Sequence, residues 1–91
     1  MSGIFGVYNI KKHHTLEEHE KIKKEWEKHK NEKIRTNMPC ARHYCKEFAH
    51  GLSYVSPTYS NKEIYVVPLC YTCSTNKGIL YVYYDKMMKI E

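Results

Sequence analysis

The stretch Cys70-Tyr71-Thr72-Cys73 decides the fold of this chain when it is read together with Cys40 and Cys45, because these are all four of its cysteines. Two cysteines separated by two residues can bind one metal ion from a single turn, and an upstream pair completes the four ligands of a tetrahedral Zn²⁺ site. Residues 46–69, between the two pairs, are enough to form a hairpin that brings the pairs together. The spacing therefore predicts a structural zinc site with the ligands Cys40, Cys45, Cys70 and Cys73.

Two histidines leave the ligand set open. His43 lies three residues after Cys40, and His50 lies five residues after Cys45, so either imidazole can replace a thiolate. A metal site is favoured over two disulfides because residues 1–6 do not have the pattern of a secretion signal. We therefore expect a cytoplasmic protein with reduced cysteines.

The composition favours a small domain that depends on a metal ion. The chain has 91 residues, and nine of them are tyrosines, whose rings suit a thin sheet with little interior. If the N-terminal third is largely a solvated helix, about 50 residues remain to build a core, and a domain of that size usually needs a metal ion, disulfides or a partner. No apolar run approaches the length of about 18 residues that a membrane span needs, so we expect no membrane association. The net charge of +5 is spread along the chain, which is weak support for binding to nucleic acid.

Residues 15–36 are predicted to form an amphipathic, charged helix. Thr15, with Glu18 three residues later, has the pattern of a capping box. Apolar residues including Ile22 and Trp26 recur every three or four positions and share one face of this helix. Three interpretations stay open: the face packs on a small sheet through Trp26 and Ile22, binds a partner protein through the same residues, or pairs with a second copy to form a homodimer.

The other segments are predicted to form strands. Residues 1–14 form an N-terminal segment in which a short strand fits positions 4–10, and residues 37–91 form a β module linked by zinc. Within the β module, the predicted strands are residues 52–55, 63–67, 79–84 and 87–90, with a turn at 56–61 and Pro68 ending the second strand. The predicted fold class is α+β: an N-terminal helix followed by a small antiparallel sheet of three or four strands around a Cys₄ zinc site.

The run Tyr65-Val66-Val67-Pro68-Leu69-Cys70-Tyr71-Thr72-Cys73, followed by Lys77, resembles the zinc half of HNH-type treble-clef proteins. It is also similar to small phage and bacterial Cys₄ zinc proteins that look like degenerate modules of this type. The resemblance covers residues 40–84 and implies a treble-clef or zinc-ribbon-like arrangement of the β module.

The resemblance implies a scaffold without the catalytic groups of a nuclease. An HNH site needs a general-base histidine and further side chains that hold Mg²⁺ at the scissile phosphate. The first histidine corresponds to His50, which lacks the neighbours expected around it, and the later positions carry Tyr65 and Ser74. A nuclease is therefore the third of our functional hypotheses.

The first hypothesis is a non-enzymatic zinc protein that acts as a protein-interaction module, such as a phage-type inhibitor of a host factor, with Trp26 and Ile22 as contact residues. The second is a nucleic-acid-binding zinc module, in which tyrosine rings stack on bases. The cations proposed for this second function are Arg42, Lys46, Lys62 and Lys77.

Overall fold

A computed structural model describes residues 3–10, 15–35, 37–58 and 62–90 of the chain. Its elements, in chain order, are β1 (Ile4–Asn9), α1 (Leu16–Lys30), β2 (Gly51–Pro57), β3 (Tyr65–Leu69), α2 (Tyr71–Ser74), β4 (Ile79–Tyr83) and β5 (Met88–Lys89), with a 3₁₀ turn at Tyr84–Lys86. The predicted α+β class is confirmed. Within the described ranges, no helix has the length and apolar character to cross a membrane.

The strands form one antiparallel sheet in the order β4-β1-β2-β3-β5. The N-terminal strand is an inner strand of this sheet, because Val7 lies opposite Pro57 of β2 on one side and opposite Leu80 of β4 on the other. The short strand predicted at positions 4–10 is therefore present, and the sheet has five strands instead of three or four.

Alternation along the strands gives the sheet two apolar faces. In β3, Val66 points to the face covered by α1, where it packs with Trp26 and Leu52. Its neighbours Tyr65 and Val67 point to the opposite face, which packs against the cysteines. The continuous apolar run of β3 is thus explained by burial on both sides of the sheet.

Helix α1 begins as predicted and ends earlier than predicted. The hydroxyl of Thr15 accepts a hydrogen bond from the Glu18 N–H, which caps the first turn. The helix stops at Lys30 rather than near residue 36, because Asn31 adopts a left-handed backbone conformation with φ of 52° and ends it. The carboxylate of Glu27 then accepts a hydrogen bond from the Ile34 N–H at 2.8 Å, which directs the following segment away from the helix axis.

Trp26 packs α1 onto the sheet. Its side chain is fully buried, and its indole N–H donates to the Lys86 carbonyl at 3.0 Å. Ile22 is half-buried beside it. Of the three interpretations of the helical face, the structure therefore agrees with packing on the sheet. Trp26 is not exposed to a partner.

Three residues predicted to lie in a turn or to end a strand are inside strands. Ser56 and Pro57 belong to β2, and Pro68 belongs to β3, where it lies opposite Leu52. The Pro68 carbonyl points away from β2 and accepts a hydrogen bond from the Ala41 N–H at 2.9 Å. Because the nitrogen of a strand residue points to the same side as its carbonyl, Pro68 removes no hydrogen bond between β2 and β3.

Replacing Trp26 with alanine should lower the free energy of unfolding by about 3–5 kcal/mol, because it removes a fully buried ring from the helix–sheet contact. Urea unfolding of the metal-loaded protein, followed by far-UV circular dichroism, measures this loss. The control is Leu16→Ala on the same helix, where the side chain is 78% exposed and the expected change is below about 0.5 kcal/mol. Equal, small effects of the two substitutions would contradict the packing of α1 on the sheet.

Candidate metal centre

The first cysteine pair lies in a loop that closes the edge of the sheet. The loop residue Ala41 accepts a hydrogen bond from the Tyr83 N–H of β4, and the His43 N–H donates to the Tyr81 carbonyl at 2.7 Å. Ala41 also donates to β3, so the loop joins the outer edge of β4 to the end of β3. Unpaired strand edges are covered in this way, and the backbone on either side of the cysteines is fixed.

A tight turn between Cys40 and Cys45 brings both thiols to the same side. The Cys45 N–H donates to the Arg42 carbonyl at 3.0 Å, and Tyr44 adopts a left-handed backbone with φ of 66°. A residue with a side chain adopts this conformation at a cost of about 1 kcal/mol. The contacts around the turn therefore have to hold it in place.

The second pair lies where β3 runs into α2. Cys70 follows the last residue of β3 and forms the N-cap of α2, and Cys73 is a buried residue of this single helical turn. The Cys70 sulfur accepts a hydrogen bond from the Cys73 N–H at 3.4 Å, as the side chain of an N-cap residue does. The predicted turn with the two thiols on one side is thus a helical turn.

The four sulfur atoms meet in one cluster. All of them lie within 4.8 Å of one another, and Cys45 is 3.8 Å from both Cys70 and Cys73. A tetrahedral ion with bonds of about 2.3 Å to sulfur separates its ligand atoms by about 3.8 Å. A disulfide would need a separation of about 2.05 Å, and all four cysteines are free. The geometry fits a single ion bound by four thiolates.

Donors surround the sulfur atoms. The Cys70 N–H donates to the Cys40 sulfur at 3.3 Å, and the guanidinium of Arg42 lies 3.7 Å from the Cys73 sulfur. A divalent ion with four thiolates carries a net charge of about −2, which such donors stabilise. Arg42, predicted as a nucleic-acid contact, is therefore a half-buried neighbour of the cluster.

Burial controls the protonation of the thiols. It raises the pKa of Cys40, and it raises the pKa of Cys73 to about 12 although the Arg42 guanidinium acts in the opposite direction. Burial acts in the same way on Cys70, but hydrogen bonds from Cys73 and Cys45 outweigh it and lower the pKa of this thiol. Four thiolates at these distances repel one another, so a bound cation is what makes the deprotonated cluster favourable.

Asn9 is part of this site, although it was not among the residues predicted from the sequence. Its side-chain amide donates to the carbonyls of Cys73 and Asn76, both at 2.8 Å, and so ties the end of β1 to the turn of α2. Its Oδ1 is buried and has no hydrogen-bond partner in the part of the chain that the structure describes. Phe5, Val7 and Asn9 occupy alternating positions and therefore share one face of β1. A polar residue at position 9, where a third apolar residue is expected, is the signal in the sequence.

The two histidines do not join the cluster of sulfur atoms. The ring of His43 lies against the rings of Tyr44 and Tyr83, with centroids 3.9 and 5.6 Å away. The ring of His50 lies edge-on to the ring of Tyr71 at 6.2 Å. In the described ranges, the group of potential ligands that converges consists of the four cysteines.

The positions that correspond to HNH catalytic groups are separated in the structure. His50 is exposed, whereas Tyr65 is buried in the core. The hydroxyl of Ser74 donates to the Tyr71 carbonyl within α2. The cations Lys46, Lys62 and Lys77 are exposed.

Comparisons with protein-family models, with curated proteins and with solved structures find no match to this chain. The fold and the site alone define the class of protein: a small α+β domain with a four-cysteine cluster that can hold a metal ion.

The apparent affinity for a metal ion should rise steeply with pH, by up to about four powers of ten per unit below the thiol pKa values, because each thiol loses its proton on binding. Competition with a chelator at several pH values, read from the thiolate-to-metal absorption of Co²⁺, measures this slope. A metal affinity that does not depend on pH would exclude thiolate ligands.

Proposed function

We propose that the four-cysteine cluster binds one Zn²⁺ ion and that this ion is structural. The observation that supports this most directly is the 3.8 Å separation of the Cys45 sulfur from the sulfurs of Cys70 and Cys73, which fits tetrahedral bonding. A tetrahedral set of four sulfur atoms is typical of zinc and of iron–sulfur centres, and the test must therefore identify the metal.

The proposed role of the zinc ion is to stabilise the fold rather than to catalyse a reaction. Four thiolates complete its coordination and leave no position for water or substrate. Three of the four cysteines are buried within the apolar core on one face of the sheet, so the ion lies inside the domain. Its binding free energy then contributes to folding.

The purified protein should contain one zinc ion per chain, and removal of the metal by a chelator should unfold it. Elemental analysis gives the metal, and far-UV circular dichroism with Trp26 fluorescence reports the fold, because the ring is buried only when α1 packs on the sheet. Cys73→Ser should lose the zinc and the cooperative unfolding transition. The control is Lys46→Ala, an exposed neighbour of Cys45 that should retain both properties. Stable folding of the metal-free protein, or iron in place of zinc, would contradict the proposal.

We further propose that the domain acts by binding a partner protein. Since Trp26 is buried, we place the contact with the partner on an exposed apolar part of the sheet instead. We call it the β1–β4 outer face and define it by Ile4, Ile79 and Tyr81. All three side chains are exposed, and Tyr81 is 56% accessible. The register places them on adjacent strands, with Tyr81 opposite Gly6, where its ring lies over the glycine backbone.

An exposed group of apolar and aromatic side chains on a rigid sheet is the kind of surface that partner proteins bury. The β1–β4 outer face is on the same side of the sheet as α1. The cysteine cluster lies on the opposite side. A small protein that inhibits a host factor by occupying it needs a rigid scaffold and such a surface.

Affinity capture with the zinc-loaded protein should recover a partner in a stoichiometric complex. The double substitution of Ile79 and Tyr81 by serine should abolish the complex, because it removes the apolar area of the outer face and leaves the core intact. The matched control is Leu16→Ser, which removes an exposed apolar side chain from α1 instead. A complex that survives the double substitution would exclude the outer face as the binding surface.

A further inference from the structure

A cleft lies beside the metal centre, on the side of α2. It has a volume of about 520 Å³, within the range of roughly 300–1,000 Å³ that is typical of ligand sites. Its walls come from α1, from the segment that follows α1, from the loop before β2 and from α2. We call it the metal-side cleft and define it by Lys23, Arg35, Glu47, Phe48, His50 and Tyr71.

Two aromatic rings are exposed in this cleft. Phe48 is 62% accessible and Tyr71 is 69% accessible, so both rings present a large part of their surface to the cleft and to solvent. Their backbones are fixed, since Phe48 forms a β-bridge with Pro39 and Tyr71 begins α2 directly after Cys70. The ring of His50 lies edge-on to that of Tyr71. The cleft therefore presents flat apolar surfaces from rigid positions next to the metal centre.

The charge of the cleft is positive. Lys23 and Arg35 line it together with a single carboxylate, that of Glu47. In the described ranges neither cation takes part in an ion pair, since the pairs found there join Lys86 to Glu32 and Lys89 to Glu63. Two cations beside two exposed rings match a ligand that combines negative charge with planar groups.

We propose that the metal-side cleft binds single-stranded nucleic acid, with a base stacked on Phe48 or Tyr71 and backbone phosphates at Lys23 and Arg35. Stacking on aromatic rings together with pairing of cations and phosphates is the chemistry by which proteins bind single strands with little dependence on sequence. A duplex keeps its bases stacked inside and offers no free base to the rings. The net charge of +5 attracts a polyanion to the protein from a distance.

This site differs from the one predicted from the sequence. Arg42, Lys46 and Lys77 do not line the metal-side cleft, and Arg42 lies against the cysteine cluster instead. The exposed pair Lys46 and Lys77 therefore provides a control with the same loss of charge as removal of Lys23 and Arg35.

The test is fluorescence anisotropy of a labelled ten-nucleotide oligothymidylate titrated with the zinc-loaded full chain at about 50 mM salt, where phosphate contacts are strong. The substitutions Phe48→Ala and Tyr71→Ala together should weaken binding by about 5- to 150-fold, the range expected for one lost stacking contact. Lys23→Ala with Arg35→Ala should weaken it at least tenfold and reduce its salt dependence. Lys46→Ala with Lys77→Ala should change it by less than about threefold.

Each alternative result would overturn the proposal. Absence of binding at this salt concentration excludes nucleic acid as the ligand. Equal losses for the two pairs of cation substitutions would mean attraction by the overall charge alone. Insensitivity to the ring substitutions, with equal competition by polyglutamate, would point to an acidic protein segment. Zinc content and circular dichroism are measured for every variant, so that loss of the structural site is distinguished from loss of the cleft.

Discussion

The convergence of four thiols on one point is the constraint on which the rest of the β module depends. The sulfurs come from the loop at Cys40 and Cys45, from the end of β3 and from α2, and they lie within 4.8 Å of one another. Such a cluster is favourable as thiolates only with a cation at its centre, because burial and mutual repulsion both oppose the negative charge. The same loop carries Ala41, which connects β3 to β4 at the edge of the sheet. The cysteine cluster and the closure of the sheet therefore depend on the same loop.

Strand β1 connects the N-terminal part of the chain to the cysteine cluster. As an inner strand it separates β2 from β4, and its last residue, Asn9, holds the carbonyls of Cys73 and Asn76. The opposite face of the sheet carries α1, which Trp26 fixes through a buried contact. The cysteine cluster and the helix thus lie on opposite faces of one thin sheet. The apolar part that neither covers lies on β1 and β4 at Ile4, Ile79 and Tyr81.

Local patterns in the sequence were enough to predict most elements. The capping box at Thr15, the alternating or apolar runs of the strands and the spacing of the cysteines each act over a few residues, and each corresponds to an element of the structure. One error has a long-range cause and one has a local cause. Pro68 continues β3 because its outward side meets Ala41 rather than a strand, and the sequence around Pro68 does not contain this information. The helix ends at Lys30 because Asn31 adopts a left-handed conformation, which Asn adopts more readily than its neighbours, and the prediction overlooked this local stop signal.

The sequence by itself determined the α+β class, the pairing of the two cysteine motifs and the face of α1 that carries Trp26 and Ile22, because spacing along the chain fixes these properties. Only the tertiary structure decided that the helical face packs on the sheet, that Arg42 lies at the cysteine cluster and that Asn9 supports α2. It also decided that Phe48 and Tyr71 share a cleft with Lys23 and Arg35. These residues are far apart in the chain, and they meet through the pairing of β1 with β2 and β4 and through the closure of the sheet by the loop at Ala41.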